Sequence, residues 1–205
     1  MIYLALLIVI GYIFGCCQTG FFIGKLNQID IRQYGSGNSG ATNALRVLGK
    51  KAAFLTFLGD ALKGVFTVLI ARFLIAPHVD MDATVVMLIG GLASILGHNY
   101  PFHMKFKGGK GVSTTGGVLF AIDPRMALIC ICIMVVVTGV TKYVSLASVT
   151  MMIAIPFMLW AFCGSDPQII GLGIVIGLLS IWRHRANIVR LIKGTESKIG
   201  QKVER

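Results

Sequence analysis

Three short segments hold most of the residues whose types suit chemistry on a charged substrate. The first reads Gly35-Ser36-Gly37-Asn38-Ser39-Gly40-Ala41-Thr42-Asn43 and is followed by Arg46. Small and turn-forming residues at that density predict backbone N–H groups directed inward as an anion-binding nest, which Arg46 would close as a bidentate phosphate ligand. The second reads Gly97-His98-Asn99-Tyr100-Pro101, then Phe106-Lys107-Gly108-Gly109-Lys110-Gly111-Val112-Ser113-Thr114. Lysines among glycines at a helix start bring positive charge, open amides and a favourable helix terminus to a phosphate. It is not a Walker A loop, because Lys110 is followed by Gly111 and the preceding glycines are wrongly spaced. The third reads Trp182-Arg183-His184-Arg185-Ala186-Asn187-Ile188-Val189-Arg190, then Gly194-Thr195-Glu196. His184, Asn187 and Glu196 do not share one helical stripe, so this segment says little by itself.

Each segment also has a plainer reading. The first could be a flexible Gly/Ser linker, although a linker needs neither two asparagines nor an arginine just ahead of an apolar run. The second could be a basic loop touching anionic head groups, and the third the basic end of a last span.

The elements that must position these segments are apolar. Of 205 residues, 56% are hydrophobic and 13% charged, and the mean hydropathy is +0.82; a soluble domain carries roughly 25% charge. The net charge of +11 is bunched between long apolar runs, which is a pattern of membrane topology and not of nucleic-acid binding. Five runs meet or approach the roughly 20 apolar residues a helical span needs: Met1 to Ile23, Ala52 to Ala76, Ala83 to Leu96, Met126 to Val140 and Tyr143 to Phe162. Ile169 to Trp182 is slightly short, and Val112 to Ile122 is about half a span, tilted or re-entrant, with Gly116 and Gly117 available for close helix approach. The first run lacks a basic leader and a small-residue cleavage site, so it is expected to stay as a span.

Seven crossings with the N-terminus outside place Lys25, Arg32, Arg46, Lys50, Lys51, Lys105, Lys107, Lys110, Lys142, Arg183, Arg185, Arg190, Lys193, Lys198, Lys202 and Arg205 inside. The outer loops then hold Arg125 with Asp80, Asp82, Asp123 and Asp166, as the positive-inside rule requires. The expected fold is therefore an all-α, single-domain membrane protein of seven transmembrane helices. Its C-terminus and all three polar segments are cytoplasmic.

Asp60 and Lys63 sit one turn apart inside the second run, where unpaired charges cost at least ~2.5 kcal/mol each. They either pair with each other or line the site. The five cysteines fall in or beside apolar runs and read as packing residues, and no cluster suggests a metal or other cofactor.

The three segments in this order resemble the bacterial acyl-phosphate-dependent glycerol-3-phosphate acyltransferases, over essentially the whole chain. GSGNSGATNALR fits throughout; GHNYP and FKGGKGVST fit with Phe102-His103-Met104-Lys105 in place of a more apolar stretch; RHRANIVRLIKGTE fits except for Ala186, where a polar or acidic residue is more usual. The resemblance implies transfer of an acyl chain from acyl phosphate to the 1-hydroxyl of glycerol 3-phosphate, giving lysophosphatidic acid and inorganic phosphate in the cytoplasmic (inner) membrane. It also implies a soluble enzyme that supplies the acyl phosphate.

The residue types suit that reaction. Lys110 and Arg46, with Ser36 and the glycine amides, are candidates for phosphate binding and oxyanion stabilisation. The general base would be His98, His184 or a substrate phosphate. Substrate-binding candidates are Gly35, Gly37, Asn38, Gly40, Asn43, Lys107, Gly108, Gly109, Gly111, Thr114, Arg183, Arg185, Asn187 and Glu196, with Asp60 and Lys63 as a supporting pair. None of the four histidines has Asp five positions on, so the dyad of acyl-CoA-dependent glycerolipid acyltransferases is missing. The rival class is a small anion transporter, which predicts an internal repeat and broken helices at the midplane. The sequence shows no such repeat.

Overall fold

The computed structural model describes residues 1–201; Lys202 and Arg205, counted above among the inner cations, lie outside the described residues. Every regular element among the described residues is helical. The first apolar run forms α1 (Ile2–Cys16) and α2 (Thr19–Leu26), broken at Cys17 and Gln18. The first glycine segment leads into α3 (Ala41–Leu48), and α4 (Lys50–Ile70) continues through a π turn at Ala71–Ile75. Then follow α5 (Ala83–Asn99), α6 (Val112–Ile122), α7 (Pro124–Thr141), α8 (Val144–Cys163), α9 (Pro167–Arg183) and α10 (Arg185–Ile192).

Five helices are long and apolar enough to cross a bilayer, and a sixth is added if α9 and α10, bent by 60° at His184, count as one span. α6 has 11 residues, about 16 Å at 1.5 Å per residue, which is half the hydrocarbon thickness. Large side chains such as Phe54, Val135, Phe157 and Trp160 stand on the outside, while Leu7, Leu88, Ile95, Met126 and Ile155 fill the interior. An apolar surface of that extent is a lipid-facing one.

Three of the loop aspartates have a structural job. Asp82, Asp123 and Asp166 each cap the N-terminus of the next helix, accepting from the amides of Thr84, Arg125 and Gln168, and Pro124 and Pro167 open α7 and α9 where no amide is needed.

Small residues bring the helices together. α1 lies along α5, and a Cβ at Gly15 or Gly97 would overlap the carbonyl of Ser94 or Tyr12 across that contact. Of the two glycines expected to admit a neighbour in α6, Gly117 does so, lying against the Ala61 carbonyl of α4; Gly116 faces open space. These crossings hold α5 and α6 so that the second glycine segment is a short tether between two fixed ends.

Candidate active site

At one end of the bundle the three polar segments meet. Lys110, just before α6, donates to Asn187 Oδ1 of α10 at 2.5 Å. Asn187 Nδ2 donates to Glu196 Oε1 at 2.7 Å, and Arg190 Nε donates to Glu196 Oε2 at 2.7 Å. Arg46 of α3 donates to the Ser197 carbonyl at 3.2 Å. The bend at His184 and the turn at Gly194 thus fold the third segment back over the other two. That is why Asn187 and Glu196 meet without sharing a helical stripe.

Burial governs the charges here. It lowers Lys110 to about 8; nearby Glu196 offsets part of this, and Arg190, Arg183 and Arg46 add to it. Arg46 is likewise lowered by burial. Burial would raise the Glu196 carboxyl, but hydrogen bonds from Asn187 and Arg190 outweigh it and hold the group below its usual range. His184 falls to about 4, first through burial and then through Lys110. Its Nδ1 lies 2.8 Å from the Ser180 carbonyl, which can only accept, so Nδ1 carries the proton and Nε2 keeps its lone pair.

The structure corrects several expectations. Four of the nine amides of the first segment are engaged within the protein: Ser36 N–H donates to Asn43 Oδ1, Gly37 N–H to the Tyr34 carbonyl, Gly40 N–H to Asn38 Oδ1 and Asn43 N–H to the Gly40 carbonyl. Gly35, at φ +61°, makes this turn, and Asn43 also donates to the carbonyls of Ile31 and Tyr34. Asn38, Asn43 and the glycines therefore shape the loop. In the second segment, Gly108 and Gly109 spend their amides on the carbonyls of Asn99 and His98, and their own carbonyls accept from Arg183. The amides left for an anion there are those of the first turn of α6, which have no partner within the helix. Arg183 is thus a clamp on the glycines, stacked 5.0 Å over Tyr100.

His98 is held at its ring Nδ1 by an interior partner. It is 3% exposed, and its Nδ1 is 2.7 Å from Lys63 Nζ. Asp60 lies 3.1 Å from that amine as counter-charge, so Lys63 is an ammonium and Nδ1 must accept, which leaves the proton on Nε2. Arg185 points away from the cluster, donating to the Trp182 carbonyl and stacking on its ring. Thr114 is buried on α6, and Ser36 is exposed, with no histidine hydrogen-bonded to its hydroxyl among the described residues. No group of histidine, cysteine and acidic side chains among the described residues has metal-ligand geometry.

Two cavities flank this cluster. A polar cleft of about 460 Å³ is lined by Arg32, Lys107 and Arg183 with Asp30 and Asn38. Arg32, read from the sequence only as an inner charge, is held there by a bidentate pair with Asp30. An apolar groove of about 610 Å³ runs between Phe54 and Phe57 of α4 and Met134, Val135 and Gly139 of α7, with Thr42 and Lys142 at its polar end.

This arrangement has relatives. The family model for glycerol-3-phosphate acyltransferase matches residues 5–194. The glycerol-3-phosphate acyltransferase of Thermoanaerobacter pseudethanolicus is 45% identical over 203 residues, 98% of each chain, and that of Alkaliphilus metalliredigens is 46% identical over 198 residues, 96% of each. The fold is similar to that of PlsY, an integral membrane glycerol 3-phosphate acyltransferase. Its glycerol 3-phosphate form superposes with a TM-score of 0.87 at 42% identity over 96% of both chains. Its lysophosphatidic acid form gives 0.84 at 41% over 96% of this chain and 95% of that one. With a family model spanning nearly the whole chain and relatives matching it end to end, this protein belongs to the glycerol-3-phosphate acyltransferase family of integral membrane enzymes.

Proposed function

We propose that this acyltransferase of phospholipid biosynthesis takes its acyl group from acyl phosphate and places it on the 1-hydroxyl of sn-glycerol 3-phosphate, releasing lysophosphatidic acid and inorganic phosphate. The observation that carries the reading is the pairing of a partly buried cationic cluster, Lys110 with Arg46 and Arg190 at the start of α6, with an apolar groove beside it. Lys110 and Arg46 bind phosphate, Asn187 and Glu196 hold Lys110 in place, and the donor's tail lies in the groove between α4 and α7. The hydroxyl oxygen attacks the acyl carbonyl carbon, the bond from that carbon to the phosphate oxygen breaks, and phosphate leaves with the electron pair. The hydroxyl proton passes to His184 Nε2 or to a substrate phosphate. The cations and the α6 amides stabilise the negative charge that builds up, and orientation supplies much of the rest because the anhydride is already activated.

The positive-inside pattern supports seven crossings, with α6 as the short fourth neighbour and the cluster on the cytoplasmic side, where a soluble donor-producing enzyme would deliver its product. Purified protein given acyl phosphate and glycerol 3-phosphate, with no soluble partner, should form lysophosphatidic acid and phosphate in equal amounts. Turnover with acyl-CoA and none with acyl phosphate would overturn the donor assignment.

A further inference from the structure

Asp60, Lys63 and His98 are 1%, 6% and 3% exposed and lie outside the cluster just described. Lys63 uses all three protons within the protein, donating to the carbonyls of Gly15 at 3.0 Å and Cys17 at 2.8 Å and to His98 Nδ1 at 2.7 Å. Those two carbonyls belong to the end of α1, at the break before α2. Asp60, one turn away, is reached by the backbone N–H and hydroxyl of Thr19, the first residue of α2. The cation thus serves a helix C-terminus and the anion the next helix N-terminus, matching the partial charges that a break exposes.

From this centre two chains of contacts lead to the two glycine segments. Gln18, in the break, donates to the His98 carbonyl at 2.9 Å and accepts from the hydroxyl of Ser39 in the first segment at 3.0 Å. The His98 ring lies under Gly109 of the second segment so closely that a Cβ there would overlap Nε2, and Gly109 N–H donates to the His98 carbonyl at 3.0 Å. Lys110 is the next residue.

We infer that Lys63, with Asp60 and His98, is a positioning centre that sets the height of the Lys110 loop and its register with the first glycine segment. Lys63 touches no substrate; it fixes the His98 ring, and the ring is the floor on which Gly109 rests. A shift of about 1 Å in a reacting group costs on the order of 100-fold in rate, so a methyl group between floor and loop should be nearly disabling. The inference rests on Lys110 acting in the reaction, and Lys110→Ala under the same conditions tests that separately.

The test is a size exchange, read as kcat and KM for glycerol 3-phosphate per folded molecule. Gly109→Ala should lose about 100-fold in kcat/KM. His98→Ala in the same chain removes the overlapping ring, and the double variant should recover at least about tenfold over Gly109→Ala alone. A double variant no more active than Gly109→Ala would overturn the inference, because the ring would then be doing something other than supporting the loop. Asp60→Asn with Lys63→Met removes both charges together, leaving neither unpaired. It should raise KM and lower kcat in the folded fraction. Wild-type constants in that fraction, with only a smaller yield of folded protein, would mean that the pair stabilises the helices without positioning the loop.

Discussion

The depressed pKa of Lys110 makes a sharp prediction about pH. A lysine at about 8 is a cation below that value and neutral above it, so in the free enzyme Lys110 is mostly charged at pH 7 and mostly neutral at pH 9. The protonated fraction falls from about 0.9 at pH 7 to about 0.1 at pH 9, close to tenfold, for a pKa one unit from each. Because kcat/KM reports the free enzyme, it should fall by about that factor across this window. No other group in the cluster titrates there: His184 is already neutral at about 4, Glu196 lies below its usual range, and the arginines stay charged. The second pKa of a phosphate monoester is about 6, so from pH 7 to 9 the acceptor stays at least about 90% dianion. The assay is initial-rate formation of lysophosphatidic acid at limiting glycerol 3-phosphate from pH 6.5 to 9.5, corrected for spontaneous loss of the donor. Lys110→Arg is the control, since its lower rate should not bend near pH 8. A wild-type profile flat from pH 7 to 9.5 would refute both the perturbed lysine and its place at the phosphate.

Three further changes probe separate parts of the site. Lys110→Ala should abolish turnover in protein that still folds, as judged by detergent-solubilised yield and thermal unfolding, and near-normal activity would reduce the loop to a lipid contact. Arg46→Lys keeps the charge but loses the planar fork; one lost hydrogen bond to a charged group is worth about 1.5–3 kcal/mol, so kcat/KM should drop roughly tenfold to 100-fold while Lys50→Arg and Lys51→Arg do nothing. Gly139→Phe fills open space in the groove, where nothing lies within 4 Å of a Cβ, so the helix should tolerate it. Steric displacement of about 1–3 kcal/mol predicts a donor KM raised roughly fivefold to 100-fold with KM for glycerol 3-phosphate unchanged, and an unchanged donor KM would empty the groove of its assigned tail.

The helices were legible because their signal is local. An apolar run of about 20 residues has one way to satisfy its backbone in lipid, and the predicted second and fifth runs, Ala52 to Ala76 and Tyr143 to Phe162, fall within two residues of the observed elements at most ends. What composition does not carry is where a run breaks. Met1 to Ile23 reads as one uninterrupted span, yet α1 stops at Cys16 because Lys63 and Asp60, more than 40 residues away, offer better partners to the broken ends than continuing the helix would. The bend at His184 escaped notice in the same way, since the residues that stabilise the folded-back end are Lys110, Arg46 and Glu196 and not its immediate neighbours.

The residue types of the site were visible too, but which of them hold the loops was not, and the reason is physical. Glycine and asparagine in a loop signal both open amides and tight turns, and only the hydrogen-bond ledger separates the two. Here much of the ledger goes to the turns: Asn43 and Asn38 take the amides of Ser36 and Gly40, and Arg183 and the end of α5 consume both polar groups of Gly108 and Gly109. Histidine is ambiguous in the same way. His98 and His184 both end a helix beside a polar segment and both are buried, yet Nδ1 of one faces Lys63 Nζ while the other keeps Nε2 free because a carbonyl has claimed Nδ1. A site built on preorganised cations needs its loops held without slack, so most of its polar groups are spent on holding. In the reaction proposed above, Lys110 and Arg46 would bring the charge, and the residues around them keep it in place.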